Sequence, residues 1–420
     1  MHSTELAGLI ARQRSGWSLD QPFYLSEELY ELERCGYLAR QWHVLAHGSE
    51  LAEPGSFIVR ELLGESLLIV RDDAGAARAF YNVCRHRGSR ICDADGRSSR
   101  GFTCPYHAWS YRLDGSLRTA PALPENIDPA QLGLRTVPVR EIGGVILGSL
   151  SGDVRSLDCV QQEFEAGLDY HGFTRARIAA RRSYPTVGNW KLVLENFREC
   201  YHCLPAHPEY CNVMQWVNTI GRVPEDGGVG WAQAVEKWSS EEADPGSPLR
   251  SIASRNDDAH PDVSAEGRLV AGVTCAAFRM PIGPGKKTQS RDGVPVAPLM
   301  GRQTRFDGGV SHFLFRPFVT LMALNDHAVM FQFLPTAAQS TEVVVTWLVD
   351  AAAPDWEVDV ERMVWLWDVT TLQDKRLIER NAAGVRSRSY SPGPYSKLEA
   401  PTVQFIESYL RESSQSLERS

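Results

Sequence analysis

The sequence predicts an α+β protein: an all-β block over residues 39–155, then a larger region over 156–420 with an antiparallel sheet and a long C-terminal helix. Three observations carry this. Short β-rich runs at 56–60, 66–70 and 143–147 are separated by Gly, Asp and Pro, the pattern of an all-β unit. Residues 158–170 then read as a helix and 185–190 as the approach to another, which sets a boundary near residue 155. Further on, strand candidates at 312–320, 327–334 and 341–350, the first two joined by a turn around Asn325-Asp326, precede a helical pattern from about 355 to 381 that is expected to stop at Gly384.

Between these parts, residues 221–309 shift toward Gly, Pro, Asp and Ser, so long loops are expected there, either covering a site or lying on the surface. A length of 420 residues with 43% hydrophobic and 23% charged side chains suits a globular chain of two to three domains. The formal net charge of −8 argues against nucleic acid as a partner, because phosphate binding needs clustered Lys and Arg. Neither an apolar secretory core near the N-terminus nor eighteen uninterrupted apolar residues occur, so a cytoplasmic protein without a membrane partner is expected. Nine cysteines form an odd set that suits a reducing compartment better than a disulfide framework. Cys35, Cys92, Cys159 and Cys275 are expected to be small buried hydrophobes.

Inside the all-β block stand Cys84-Arg85-His86 and, after seventeen intervening residues, Cys104-Pro105-Tyr106-His107. Each arm offers one thiolate and one imidazole, the set in which two histidines replace two cysteines on one iron of a [2Fe-2S] cluster, the Rieske arrangement. Two Cys and two His also make a closed zinc site, but zinc fingers usually keep Cys with Cys and His with His.

A second constellation is Glu195-Asn196-Phe197-Arg198-Glu199-Cys200-Tyr201-His202, followed by Pro205 and His207. In a helix continuing from Asn189, Glu195, Glu199 and His202 would share one face at about 100° per residue. Pro205 is expected to bend the chain and bring His207 round to His202. Two histidines and one carboxylate make the facial triad that leaves positions open on ferrous iron. Asp374 is the expected carboxylate: Trp367, Thr371, Leu377 and Ile378 place it on a largely apolar stripe, where an unpaired charge is costly unless it binds metal. Asp368 is the second choice and Glu361 the third. The plain alternatives are structural histidines and an aspartate paired with Arg or Lys.

With both motifs in this order, and Gln373-Asp374-Lys375-Arg376-Leu377-Ile378-Glu379 near the C-terminus, the chain resembles the large (α) subunit of the Rieske non-haem iron oxygenases over nearly its whole length. The likeness implies a Rieske β-sandwich holding the cluster through Cys84, His86, Cys104 and His107, and a helix-grip catalytic domain holding Fe(II) through His202, His207 and Asp374. It implies that residues 1–38 pack on the catalytic domain. The glycine usual after the last cluster histidine is Ala108 here. The family implies a ring, commonly a trimer, in which the cluster of one chain reduces the iron of the next, with electrons coming from NAD(P)H through a reductase or ferredoxin. An acidic residue three positions before the first iron histidine bridges the two sites; here it is Glu199, where aspartate is usual.

Glutamate within Glu-Cys-Tyr-His-Cys, together with Val385-Arg386-Ser387-Arg388-Ser389-Tyr390-Ser391-Pro392-Gly393, is similar to the branch acting on glycine betaine, carnitine and proline betaine. This branch points to rings of α subunits alone. Methylammonium groups are held by aromatic cages, for which Tyr201, Tyr210, Trp216, Phe313, Phe315, Phe331 and Phe333 are candidates, each of them also an ordinary core residue. The implied reaction uses O2 and a small substrate. The competing readings are an aromatic-ring hydroxylating oxygenase and an electron carrier using only the Rieske part.

Overall fold

The computed structural model describes residues 3–153, 156–215, 231–248, 269–270 and 273–418. Trp216, the side chain of Cys159 and most of the 221–268 loop region lie outside them. The chain divides into two compact units, one comprising Ala39–Val154 and the other Met1–Leu38 with Arg155–Ser420.

The smaller unit is built from antiparallel strands: β1 (His43–His47), β2 (Ser56–Leu62), β3 (Glu65–Arg71), β4 (Ala77–Tyr81), β5 (Gly96–Arg97), β6 (Phe102–Thr103), β7 (Ser110–Tyr111), β8 (Leu117–Thr119), β9 (Thr136–Val137), β10 (Val139–Ile142) and β11 (Val145–Gly148). They form sheets of order β1-β11-β10, β5-β2-β3-β4-β9 and β6-β7-β8. Leu68, Val70, Phe80, Ile91, Phe102, Trp109, Tyr111 and Leu134 make a core that also contains the side chains of Cys84 and Cys104. Apolar burial therefore draws both sulfurs inward.

In the larger unit α1 (Ser3–Ala11), α2 (Gln21–Leu25) and α3 (Glu27–Cys35) come first, then α4 (Asp158–Tyr170) and β12 (Ala176–Thr186). Next are α5 (Trp190–Asn196), α6 (Cys203–Ala206), α7 (Pro208–Val213) and α8 (Trp231–Glu241). Then follow β13 (Leu269–Val270), β14 (Val273–Pro281), β15 (Gly309–Phe315), β16 (Val319–Ala323), β17 (Ala328–Ala337), β18 (Ser340–Asp350), α9 (Val360–Val385) and α10 (Ala400–Glu418). The sheet is antiparallel throughout, in the order β12-β18-β17-β16-β15-β14-β13.

Side-chain direction alternates along each strand, and the pairings Phe278↔His312, His312↔Met322, Leu314↔Thr320 and Thr320↔Phe331 put these residues on one face. The opposite face carries Phe313 and Phe315, which meet Phe164 of α4 edge-on at 5.7 and 4.8 Å. The long helix α9 packs on β12 and α5. Residues of the N-terminal segment are held by a buried cluster: Glu33 of α3 accepts from Lys191 Nζ at 2.6 Å, from Trp190 Nε1 at 2.9 Å and from the Tyr409 hydroxyl. A buried carboxylate and ammonium need such partners.

Several expectations need correction. The run 312–320 is two strands, β15 and β16, with Phe315 paired to Val319 around a tight turn at Arg316-Pro317. The turn at Asn325-Asp326 therefore joins β16 to β17. Helix α9 starts at Val360, because the Asp359 side chain accepts the Arg362 N–H and caps it, whereas 355–357 form a separate single turn. It runs through Gly384 to Val385. Cys35 is exposed and Cys92 half-buried, while Cys275 is buried as expected. Cys200 and Cys203 are joined in a disulfide that the cysteine count did not foretell.

Candidate metal centres and substrate cavity

The two Cys/His loops share one backbone design. The Gly88 N–H donates to the Cys84 carbonyl (3.0 Å) and the Cys84 N–H to the Ser89 carbonyl (2.8 Å). The Ala108 N–H likewise donates to the Cys104 carbonyl (3.1 Å) and the Cys104 N–H to the Trp109 carbonyl (2.8 Å). Each loop turns on a left-handed residue, Gly88 at φ 76° and Ala108 at φ 58°. The side chain at 108 therefore sits where a Cβ costs roughly 1–2 kcal/mol, the physical reason for a glycine at that place.

The donor set is asymmetric. Cys84 and Cys104 are buried, while the rings of His86 and His107 lie 4.7 Å apart, His86 stacked on Trp109 at 4.8 Å. Arg85 N–H donates to the Tyr111 oxygen (2.9 Å), which leaves the hydroxyl proton for Cys84 Sγ at 3.2 Å. Burial pushes the Cys104 thiol up, but the N–H groups of Tyr106 and His107, with Cys84 and Ser89, pull it below its usual value. Sulfurs that are buried and hydrogen-bonded, beside two imidazoles, fit a cluster with two thiolate and two histidine ligands.

In the larger unit, Asn189 caps α5 by accepting the Lys191 N–H at 3.0 Å, and the helix ends at Asn196. Glu195, Glu199 and His202 therefore do not share a helical face: Glu195 accepts from the Tyr24 hydroxyl at 2.9 Å, and residues 197–202 turn. Pro205 does not break a helix either. It lies in the single turn α6, where its missing N–H has no partner to lose, and the bend falls at His207 (φ −127°, ψ 66°), just before Pro208 opens α7.

That bend brings three donors together. His207 Nε2 lies 2.9 Å and His202 Nε2 3.2 Å from Asp374 Oδ1. Among the described residues these three make a group whose donor atoms all lie within 4.8 Å of one another. Asp368 instead accepts from the Tyr184 hydroxyl at 2.6 Å, and Glu361 is exposed in the first turn of α9.

The other ring nitrogens decide what this group is fit to hold. Gln373 donates its amide N–H to Glu209 at 2.8 Å, so its oxygen is the atom 2.9 Å from His207 Nδ1, which must donate. His202 Nδ1 lies 2.5 Å from Glu199 Oε1 and must donate as well. The other Glu199 oxygen accepts the N–H groups of Tyr201 and, at 3.3 Å, His202. With both Nδ1 protons committed, two Nε2 atoms face one carboxylate oxygen, an arrangement that requires a cation: a proton on each ring or a shared metal ion. Without the metal, burial pushes His202 down but Asp374 and Glu199 raise it to about 9. Burial likewise raises Asp374, yet His202 and His207 hold it below the usual carboxylate value. The site meets the chemistry of a mononuclear Fe(II) triad.

Beside it lies a cavity of about 200 Å³. Tyr210, Phe331, Phe333 and Trp367 wall it together with Phe197 and Phe278, while His312, Arg198 and Arg316 also reach its surface. Tyr210 links cavity and triad, its ring 6.4 Å from His207 and 5.4 Å from Trp367.

Residues 41–139 match the family described as Rieske [2Fe-2S] domain, and residues 173–414 the ring hydroxylating alpha subunit (catalytic domain). The chain belongs to the Rieske oxygenase α subunits. Among similar proteins, the glycine betaine monooxygenase oxygenase subunit of Pseudomonas aeruginosa is 32% identical over 96% of this chain and 90% of its own. The carnitine monooxygenase oxygenase subunit of Escherichia coli K12 is 36% identical over 49% of this chain and 56% of its own. A solved quaternary ammonium Rieske monooxygenase superposes with a TM-score of 0.69 at 22% identity, covering 96% of this chain and 97% of that one. Naphthalene 1,2-dioxygenase from Rhodococcus sp. gives 0.63 at 20% identity, covering 98% of each chain. The last two show the fold; the family matches make the chain a Rieske domain followed by the catalytic domain of an oxidoreductase.

For this Rieske oxygenase, the geometry brings His202, His207 and Asp374 together and sets Glu199 on His202. Of the expected cage residues, Tyr210, Phe331 and Phe333 reach the cavity; Phe313 and Phe315 face α4, and Tyr201 is 56% exposed. Gln373, Phe197, Phe278 and the cavity role of Trp367 were missed. The period-two alternation of β15 already separates 312, 314 and 316 from 313 and 315, and Gln373 adjoins Asp374 in sequence.

Proposed function

We propose that this terminal oxygenase removes an N-methyl group from a small betaine-type quaternary ammonium compound. The observation that carries the reading is the aromatic wall of Tyr210, Phe331, Phe333 and Trp367 adjoining His207, a surface suited to a methylammonium cation. At about 200 Å³ the cavity is smaller than the roughly 300–1,000 Å³ of pockets for drug-sized ligands, which favours a small aliphatic substrate over a fused aromatic ring. The whole-length similarity to glycine betaine monooxygenase oxygenase subunits points the same way.

When bound, the cluster at Cys84, His86, Cys104 and His107 supplies single electrons, and Fe(II) at His202, His207 and Asp374 supplies dioxygen activation. The chain's own residues orient these groups: Glu199 and Gln373 fix the ring tautomers of His202 and His207, and the aromatic wall presents an N-methyl carbon to the triad while excluding water. Hydroxylation of that carbon and collapse of the carbinol convert substrate, O2, NAD(P)H and a proton into the demethylated amine, formaldehyde, water and NAD(P)+. The electrons come through a reductase or ferredoxin. The working assembly is a cytoplasmic homotrimer in which Glu199 connects His202 to the cluster of the neighbouring chain.

The test is formaldehyde release by the protein with a reductase, NAD(P)H and a panel of trimethylammonium carboxylates. Stoichiometric formaldehyde supports the reading. Turnover of an aromatic acid with no formaldehyde from any methylammonium compound would replace it with ring hydroxylation, and iron in the cluster alone would reduce the protein to an electron carrier.

A further inference from the structure

The turn that carries His202 is closed on itself by side chain, backbone and covalent bond. Glu199 accepts the N–H groups of Tyr201 and His202, the Cys203 N–H donates to the Cys200 carbonyl at 3.2 Å, and a disulfide joins Cys200 to Cys203. His202 therefore sits inside a covalent ring formed by residues 200–203. Cys203 also opens α6, and its carbonyl accepts the N–H of His207 at 2.8 Å and the thiol of Cys211 at 3.4 Å. One end of the cross-link thus adjoins His202 in sequence and is hydrogen-bonded to His207.

The two histidines are not equally supported by packing. The His207 side chain is 1% exposed, whereas that of His202 is 21% exposed. His202 also stands outside regular helix, since α5 ends at Asn196 and α6 starts at Cys203. A side chain presented from a short irregular turn has alternatives that must be given up when it binds a metal. A covalent link removes many of those alternatives in advance, so less ordering entropy opposes binding.

We propose that the Cys200–Cys203 disulfide is a positioning cross-link for the iron site, presenting His202 Nε2 to Asp374 and making Fe(II) retention depend on the redox state of these two cysteines. This rests on the iron reading of the group formed by His202, His207 and Asp374. The disulfide opens by exchange with a dithiol: the S–S bond breaks, Cys200 and Cys203 each gain a hydrogen, and the dithiol becomes its own disulfide. Cys200 is half-buried beside the exposed Tyr201, while Cys203 is buried, so Cys200 is the more accessible residue of the pair. Burial pushes the Cys211 thiol up, which keeps this neighbour out of the exchange. In a reducing compartment such a pair acts as a redox sensor and not as a permanent staple.

The experiment is anaerobic Fe(II) titration of the cluster-loaded full chain, before and after treatment with a trialkylphosphine that is then removed. The phosphine and one water convert the disulfide into two thiols and the phosphine oxide, and alkylation with mass analysis reports the state of Cys200 and Cys203. Opening the cross-link should weaken mononuclear Fe(II) about tenfold, with cluster absorption unchanged. Cys200→Ala and Cys203→Ala should each bind Fe(II) like the opened protein, the double variant no more weakly than either, and phosphine should change none of them. A purely structural loss at either cysteine would instead add in the double variant and disturb the cluster. Equal Fe(II) affinity with the disulfide closed and open, or both cysteines alkylated before phosphine is added, overturns the cross-link while leaving the iron triad standing. Absence of mononuclear iron from the unaltered protein with its disulfide closed strikes the iron reading itself, and the cross-link's role with it.

Discussion

Gln373 offers a demanding test of the iron site, because it touches no metal in the proposed ligand set and acts only through His207. Its oxygen accepts from His207 Nδ1 at 2.9 Å, and its amide is turned by Glu209 at 2.8 Å. Replacing it in Gln373→Leu removes the acceptor while keeping similar bulk. The buried imidazole then keeps an Nδ1–H without a partner, which costs about 1–3 kcal/mol, or rotates and withdraws Nε2 from Asp374. Loss of such an orienting contact typically lowers metal affinity about 10–100-fold, or about 1.4–2.7 kcal/mol. Anaerobic Fe(II) titration, with mononuclear iron counted separately from the cluster, measures the shift directly. Cluster absorption should be unchanged. Glu209→Ala, which only frees the amide, should weaken Fe(II) by less than about threefold. If Gln373→Leu holds Fe(II) within threefold of the unaltered protein, the tautomer argument is wrong and the Nε2 atoms are presented by packing alone.

Asp374→Ala should reduce total iron from about three to about two per chain, with the cluster spectrum retained and formaldehyde release abolished; elemental analysis beside absorption checks it. Ala108→Gly relieves the left-handed strain at φ 58° and should stabilise the cluster loop by up to about 1 kcal/mol after the added flexibility of glycine, read as slower cluster loss on heating. Burial raises Glu195 from 4.5 to about 7, against the Tyr24 and Tyr395 hydroxyls and Lys191 that lower it. The folded state therefore holds this proton more tightly than the unfolded chain does. Its contribution is complete below pH 4.5 and is lost as pH rises through about 7, a change on the order of 3 kcal/mol. Glu195→Gln should flatten that part of the stability profile, measured by denaturant midpoints across the window.

Chemistry carried by residue type and close spacing was legible in the chain. Cys-x-His and Cys-x-x-His each present a thiolate and an imidazole within a few residues, so the candidate cluster set is a local property. Asp374 was accessible for a related reason: helical periodicity put it on the buried stripe of α9, where an acid needs a partner. Cage membership was not accessible in the same way. Phe313 and Phe315 differ from Leu314 and Arg316 only by one step along β15, and one step reverses the face of a strand. The direction of β15 was obscured because the run continuing into 320 hid the turn at Arg316-Pro317.

The sequence by itself carried the candidate ligand types, their order and the fold that spaces them, because thiolates, imidazoles and the apolar period are written in single residues and short intervals. The tertiary structure alone decided three things. It ended α5 at Asn196, so Glu199 holds His202 from a turn and not from a helical face. It bent the chain at His207, which pointed two Nε2 atoms at one aspartate more than 160 residues away. It also gathered Arg198 and Arg316 at one corner of an aromatic cavity. Each depends on which distant surfaces meet, and packing selects that from many local possibilities which propensity leaves nearly equal in energy.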